Sequence, residues 1–372
     1  MAILPLTGPI FPRVGDGSGL EGASQVYQEE LQLALRNKAL PLEGLRYDVT
    51  PTGLHYTLIH YDIPAVDVAT WRLHVGGQVR QVLSLSQAEL QQRPAQTLRV
   101  TLECAGDGRA LLQPRPLSQP WLSGAVGTAE WTGTPLRPLL EEAGLGADVC
   151  EILFTGLDRG REGGVEQDYQ RSLPRQIALG DGVLLAWAMN GRLLEPQHGT
   201  PLRLIVPGWY GMAHVKWLRS IEALTAPFAG YQQAVAYRYS QSRDDPGEPV
   251  TMMRVRALMI PPGLPDFLTR TRIVPRGVVE LQGRAWSGYG PITHVEVSGD
   301  GGAAWAPAEL GEPGGPHGWT PWHYRWTVNA VGAYELCCRA HDAAGNSQPL
   351  DQYWTAQGMG NNAVQRVSVL VV

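Results

Sequence analysis

The sequence predicts an α+β chain, a mixed α/β domain followed by a β-sandwich. Three observations lead there. Residues 50–230 mix strand-like with helix-like segments. SQSRDDPGEPV, residues 240–250, is polar, carries two prolines and reads as a linker. Beyond it, short alternating strands recur between turn signals at fairly even spacing, the pattern of a sandwich. A length of 372 residues allows two or three domains and a substantial core. With 44 glycines and 29 prolines, the composition favours strands and loops over long helices.

Taken in order, residues 1–45 read as an arm. Within it SQVYQEELQLALRN, residues 24–37, has the spacing of a short amphipathic helix. The mixed domain is expected over 46–240. LHYTLIHYDIP, WRLHVGG and LRVTLEC read as strands by alternation and β-branched or aromatic content. PLRPLLEEAGL, residues 135–145, reads as a helix with Thr134 as cap, Pro135 in its first turn and Gly144 at its stop. VLLAWAMNGRLL, residues 183–194, fits either strand or helix, with a tight turn at Asn190-Gly191. The sandwich is expected over 245–372, with strands in VVELQGRAWS, ITHVEVSGDGG, HYRWTVN, YELCCRAHDAAGN and QRVSVLVV.

A formal charge of −5 and a pI near 6.0 leave no electrostatic footprint for nucleic acid, and no basic block reads as a membrane anchor. No apolar run approaches the length of a membrane span. The N-terminus lacks the basic and apolar regions of a signal peptide, so the cytoplasm is expected; a trimmed export signal would make it the periplasm. The four cysteines include no CxxC, and adjacent Cys337 and Cys338 would face opposite ways on a strand, so they form no disulfide framework.

Two stretches carry chemistry. In VTLECAGDGRALLQP, residues 100–114, Cys104 closes a strand and glycines let the chain turn. Read alone, a free cysteine is most often a small buried hydrophobe. The fixed charge of Arg109 nearby favours a thiolate, which serves as nucleophile or soft metal ligand. His60, His198 and His214 could act as bases, but no local protease signature accompanies them. The second stretch, QHGTPLRLIVPGWYGMAHVKWL, gathers His198, Arg203, His214 and Lys216 around glycine turns. Such a set suits an anion, with phosphate the natural candidate. No phosphate-loop or dinucleotide motif is present.

CAGDGR, AEWTGTPLRPLLEEAG, LLAWAMNGRLLEPQHGTPLRLIVPGWYGMAHVKWL and AWSGYGPITHVEVSGDGGAAW together resemble the sulfite oxidase family of molybdenum enzymes, in order and with near-family spacing over roughly residues 50–372. The resemblance implies a molybdopterin-binding catalytic domain, then an immunoglobulin-like dimerisation sandwich and a homodimer. It places Cys104 as the protein ligand to molybdenum. His60, Asp158, His198, Arg203, His214, Val215 and Lys216 match positions that hold the pterin and its phosphate. Tyr237, twenty-one residues after Lys216, matches the active-site tyrosine, with Tyr239 as its rival. Arg109 matches a substrate-pocket arginine.

Two departures stand out. Where the family's sulfite oxidases carry further arginines, this chain has Leu58 or Ile59, and Gln357. The implied reaction is oxygen-atom transfer to sulfite, with electrons leaving to an external acceptor such as a cytochrome or oxygen, since no haem motif is present. The departures support an alternative, a less anionic small substrate such as a sulfoxide. A third reading, a scaffold with a dead site, is opposed by the retained Cys104, His198, Arg203 and Lys216.

Overall fold

The computed structural model describes residues 27–242 and 244–372. Most of the expected arm lies outside the described residues. Its helix is present as α1 (Gln28–Arg36). The apolar face predicted for it is not buried, because Leu31 and Leu35 are exposed. What anchors α1 is Glu30, which is buried and paired with Arg115 at 2.7 Å.

The first domain has two sheets. Its strands are β1 (Leu73–Gly77), β2 (Leu83–Leu85), β3 (Gln96–Glu103), β4 (Val126–Pro135), β5 (Glu151–Glu162), β6 (Val165–Pro174), β7 (Leu184–Met189), β8 (Arg192–Leu193), β9 (Arg203–Ile205) and β10 (Leu218–Leu224). One sheet runs β2-β1-β10-β5-β6, with β1 and β10 parallel. The other runs β3-β4-β7-β8, with β9 also on β7. β7 settles the ambiguous apolar run as a strand buried along its whole length, a residue pattern that periodicity alone cannot separate from a buried helix. Its turn is Asn190-Gly191, both at positive φ, as a tight hairpin requires. The helix at 136–143 packs Leu136, Leu139 and Leu140 into the main core and stops at Gly144, in the left-handed region at φ 71°. Thr134 does not cap it; that residue lies in β4, and Pro135 opens the helix.

LHYTLIHYDIP is not a strand. A short 3-10 turn covers Thr52–Leu54, and the one ladder contact described is an isolated bridge from Thr57 to Lys38. Burial does not follow the alternation of the sequence: adjacent His55 and Tyr56 are both buried and line a cavity, and Ile59 is buried outside that lining.

The second domain is the expected sandwich. Strands at Arg256–Met259, Gly277–Trp286, Thr320–Val328 and Glu309–Leu310 make one sheet. The other is built around Ile292–Ser298, Gly332–Asp342 and Gln365–Val371. Leu281 and Trp322 from the first sheet meet Val295, Leu336 and Val369 from the second. Cys337 and Cys338 are both free and fully buried.

A buried charge network joins the sandwich to the loop after β3. Arg256 pairs with Glu103 at 2.7 Å and with Asp107 at 3.0 Å. The Trp286 indole N–H donates to Glu103 at 2.8 Å. Asp107 in turn accepts from the backbone N–H groups of Gly124 (3.0 Å) and Ala125 (2.8 Å). Burial pushes the Glu103 carboxyl up and Arg256 pulls it down. Cys104 sits between these two acids in the chain.

Candidate molybdenum cofactor site

β3 ends at Glu103, and the next residue, Cys104, opens into a cavity. The residues at 54–60 form one wall, and the loops around β9 form another. The lining contains Cys104, His60, Asp158, His198, Arg203, His214, Lys216 and Tyr237. Eight of the residues singled out in the sequence therefore converge. Arg109 and Val215 are not in the lining.

Arg109 is buried, donating Nε to the Gln357 carbonyl at 2.7 Å and Nη1 to the Gln119 carbonyl at 3.0 Å. It staples the CAGDGR turn to the C-terminal segment. The expected thiolate-favouring effect is outweighed: burial pushes the Cys104 thiol up to about 11, with Arg109 pulling the other way. A metal bond would deprotonate it outright.

The basic groups are held in detail by carbonyls. Lys216 Nζ donates to Leu58 O at 2.8 Å and Gln197 O at 3.2 Å. Arg203 donates its two Nη atoms to the His198 and His214 carbonyls, at 3.0 and 3.4 Å, so the fork expected for a phosphate is largely occupied. The His214 ring is also committed: Nδ1 accepts from Val206 N–H at 3.1 Å, leaving Nε2–H to donate to Trp209 O at 3.1 Å. It braces the turn. Val215 likewise acts through its main chain, accepting from Leu204 N–H.

Burial lowers every cation here, and repulsion by Arg203 adds to it for His198, His214 and Lys216. His198 and His214 fall to about 3, Arg203 to about 10 and Lys216 to about 7. Asp158, also buried, rises to about 6, opposed by Lys216. Three buried polar atoms in the lining residues have no partner: His55 Nε2, Asp158 Oδ1 and Arg203 Nε. Donors, an acceptor and repelling cations around one cavity suit a polar, anionic group, and the thiol beside them suits a soft metal. The residues fit a phosphate-bearing molybdopterin.

Tyr237 faces the cavity, and its hydroxyl lies 2.8 Å from His60 Nε2. Burial drives His60 down to about 3 and the phenol well above its usual range, so both are neutral. Tyr239 turns away, its ring stacked on the Arg254 guanidinium at 4.3 Å. Leu58 is among the lining residues, brings no charge and packs against an apolar cluster, and Gln357 donates to the Val235 carbonyl.

Sequence reasoning missed His55, Tyr169 and Arg171. His55 follows the same His-Tyr dipeptide pattern as His60 five residues on, a signal that was available. Tyr169 stacks on His60 at 4.9 Å, and Arg171 lies 5.4 Å from the Tyr237 ring centroid; neither has a local signature.

Residues 60–232 match the oxidoreductase molybdopterin binding domain, and residues 248–372 match the Mo-co oxidoreductase dimerisation domain. Sulfite oxidase of Gallus gallus is 35% identical over 341 residues, covering 86% of this chain and 72% of that protein. The chain belongs to the sulfite oxidase family of molybdenum-cofactor oxidoreductases. Mitochondrial sulfite oxidase of Homo sapiens is 35% identical over 87% of the chain, which spans 62% of that relative. Family breadth shows in nitrate reductase [NADH] 1 of Oryza sativa subsp. japonica, 32% identical over 87% of the chain and 38% of its own length. Among solved structures, sulfane dehydrogenase SoxCD from Paracoccus pantotrophus shares the fold, with TM-score 0.73 at 23% identity, covering 95% of this chain and 92% of that one. Membership of this family makes the chain a molybdopterin-dependent oxidoreductase.

Proposed function

We propose that this chain oxidises sulfite to sulfate. One water supplies the oxygen, two protons are released, and two electrons pass to an external acceptor. The observation that carries the reading is the convergence of Cys104, the Tyr237–His60 pair and the Lys216–Arg203–His198 cradle on one cavity. In it Cys104 holds the metal, while His55, Asp158, His198, Arg203 and Lys216 hold the pterin and its phosphate. When bound, the cofactor supplies two-electron oxygen-atom exchange. Tyr237 orients the substrate: with Nε2 of His60 protonated, its oxygen accepts from the imidazole and its own O–H is free to donate to an oxyanion. Arg109 fixes the thiol-bearing turn rather than touching substrate.

A second reading has a specific observation behind it. Leu58 is apolar, Gln357 is uncharged and Arg109 is engaged by carbonyls. That pocket favours a less anionic substrate such as a sulfoxide. The nitrate reductases among the relatives add nitrate as a candidate. Steady-state assays of molybdenum-loaded enzyme separate these, with sulfite and an artificial electron acceptor in one arm and sulfoxide or nitrate with an artificial donor in the others. Sulfite should bleach the oxidised metal–thiolate absorption and reduce the acceptor. If it does neither, the sulfite reading is wrong. The sandwich is read as the face that forms a homodimer.

A further inference from the structure

We propose that Arg171 makes the tyrosine end of the cavity an oxyanion subsite, supplying positive charge that Leu58 and Gln357 do not. The inference deepens the sulfite reading and rests on it for the substrate, though not for the subsite.

Arg171 lies on β6, in register with Phe154 of β5, and is 2% exposed. Its Nη1 donates to the Gln232 carbonyl, while its Nε has no hydrogen-bond partner. Among the described residues no carboxylate forms an ion pair with it. The acid whose charge it feels is Glu151, after the phenols of Tyr169 and Tyr237. Glu151 is itself occupied, accepting from Phe228 N–H. A buried cation without a counter-ion is costly, and a fold that needed only a strut could use an apolar side chain there.

Its position gives that charge a use. The guanidinium carbon sits 5.4 Å from the Tyr237 ring centroid, and the Tyr237 hydroxyl reaches His60. Tyr169, two residues earlier on the same strand face, lines the cavity and stacks on His60. Arg171 therefore stands one side-chain layer behind the wall formed by Tyr169, His60 and Tyr237. From there it makes the Tyr237 phenol a stronger donor and attracts an anion at the wall. In the effective dielectric of a protein interior, one unit charge at such a distance changes anion binding roughly tenfold. A neutral ligand gains almost nothing.

The test uses molybdenum-loaded enzyme carrying Arg171→Gln, Arg171→Met or Arg171→Lys. Glutamine keeps a donor for the Gln232 carbonyl without the charge, and lysine keeps the charge. Sulfate, an unreactive oxyanion, is titrated by calorimetry. Sulfite and a neutral sulfoxide are compared in turnover, with molybdenum content and Tm recorded for each variant. Expected are a roughly tenfold loss of sulfate affinity in the glutamine and methionine variants and a matching rise in KM for sulfite. kcat should stay within about twofold, the sulfoxide KM should not move, and the lysine variant should stay near wild type. If Arg171→Gln binds sulfate as wild type does while Arg171→Met is weakened or unfolded, the residue is only a strut and the proposal fails. If the wild type binds sulfate in an Arg171-dependent way yet does not oxidise sulfite, the subsite stands and the substrate reading falls.

Discussion

At the scale of residues, the thiol of Cys104 carries the most direct consequence. Cys104→Ser should leave Tm within about 2 °C, since the swap is nearly isosteric. It should abolish turnover and the metal–thiolate absorption band; a serine variant with wild-type activity would remove this side chain from the metal. A paired change, Leu58→Arg with Gln357→Arg, should lower KM for sulfite by about tenfold or more, because a buried charge-assisted contact is worth about 1.5–3 kcal/mol. An unchanged KM would mean that the anion sits elsewhere. The sequence revealed the residue types well because a cysteine between glycine turns and a basic, glycine-rich stretch are local patterns. It did not reveal which atoms remain free. Arg203, His214 and Arg109 look alike as cations on paper, yet backbone carbonyls and amides claim most of their donors and acceptors. Nor could it find Arg171, whose role depends on a stacking partner sixty-six positions away.

Among elements, the segment at 54–64 shows where pattern reading fails. An alternation in sequence implies two faces, but here adjacent His55 and Tyr56 both turn inward to line a cavity, and the pairing this segment makes is a bridge from Thr57 to Lys38. β3 was legible because its alternation leads into paired neighbours on β4. The end of β3 is set by the sandwich through Arg256. Replacing that arginine by methionine would leave Glu103 and Asp107 buried without their cation. Such an uncompensated pair costs about 3–5 kcal/mol, so Arg256→Met should lower Tm by several degrees and reduce molybdenum retention. Differential scanning calorimetry with metal analysis reads both, and an unchanged Tm would show that the network contributes nothing net. The outer face of the sandwich carries a second group of ligand-type side chains, His294, Glu296 and His341, where Arg339 already pairs with the carboxylate at 2.6 Å.

For the whole molecule, the buried imidazoles predict a pH response. His55 falls to about 4, and His60, His198 and His214 to about 3, from an ordinary value near 6.5, with burial the main cause. The unfolded chain therefore takes up protons that the folded one refuses. The contribution of the histidines is full well above about pH 6.5 and is lost as pH falls through that value, by up to about 1.4 kcal/mol per unit for each histidine. Asp158, raised to about 6, and Glu103, raised to about 7, have the opposite sign but are two groups against four. Cofactor-free protein should lose Tm steeply between pH 7 and 5.5, and cofactor-loaded protein less so, because a bound phosphate favours the charged imidazoles. Parallel curves for the two forms would count against a phosphate in this cradle.

The staple from Arg109 to Gln357 has a consequence for biosynthesis. The two residues are 248 positions apart, so the turn bearing Cys104 emerges from the ribosome long before the segment that secures it. Domains otherwise tend to fold in the order they are made. Here the turn that bears Cys104 is secured from behind the pocket by a segment made after most of the sandwich, so the site reaches its final form only once synthesis has passed residue 357. Arg109→Met, which removes the contact and keeps every strand, should retain less molybdenum even in cells rich in the pterin; retention at the wild-type level would show that the site matures without this clasp.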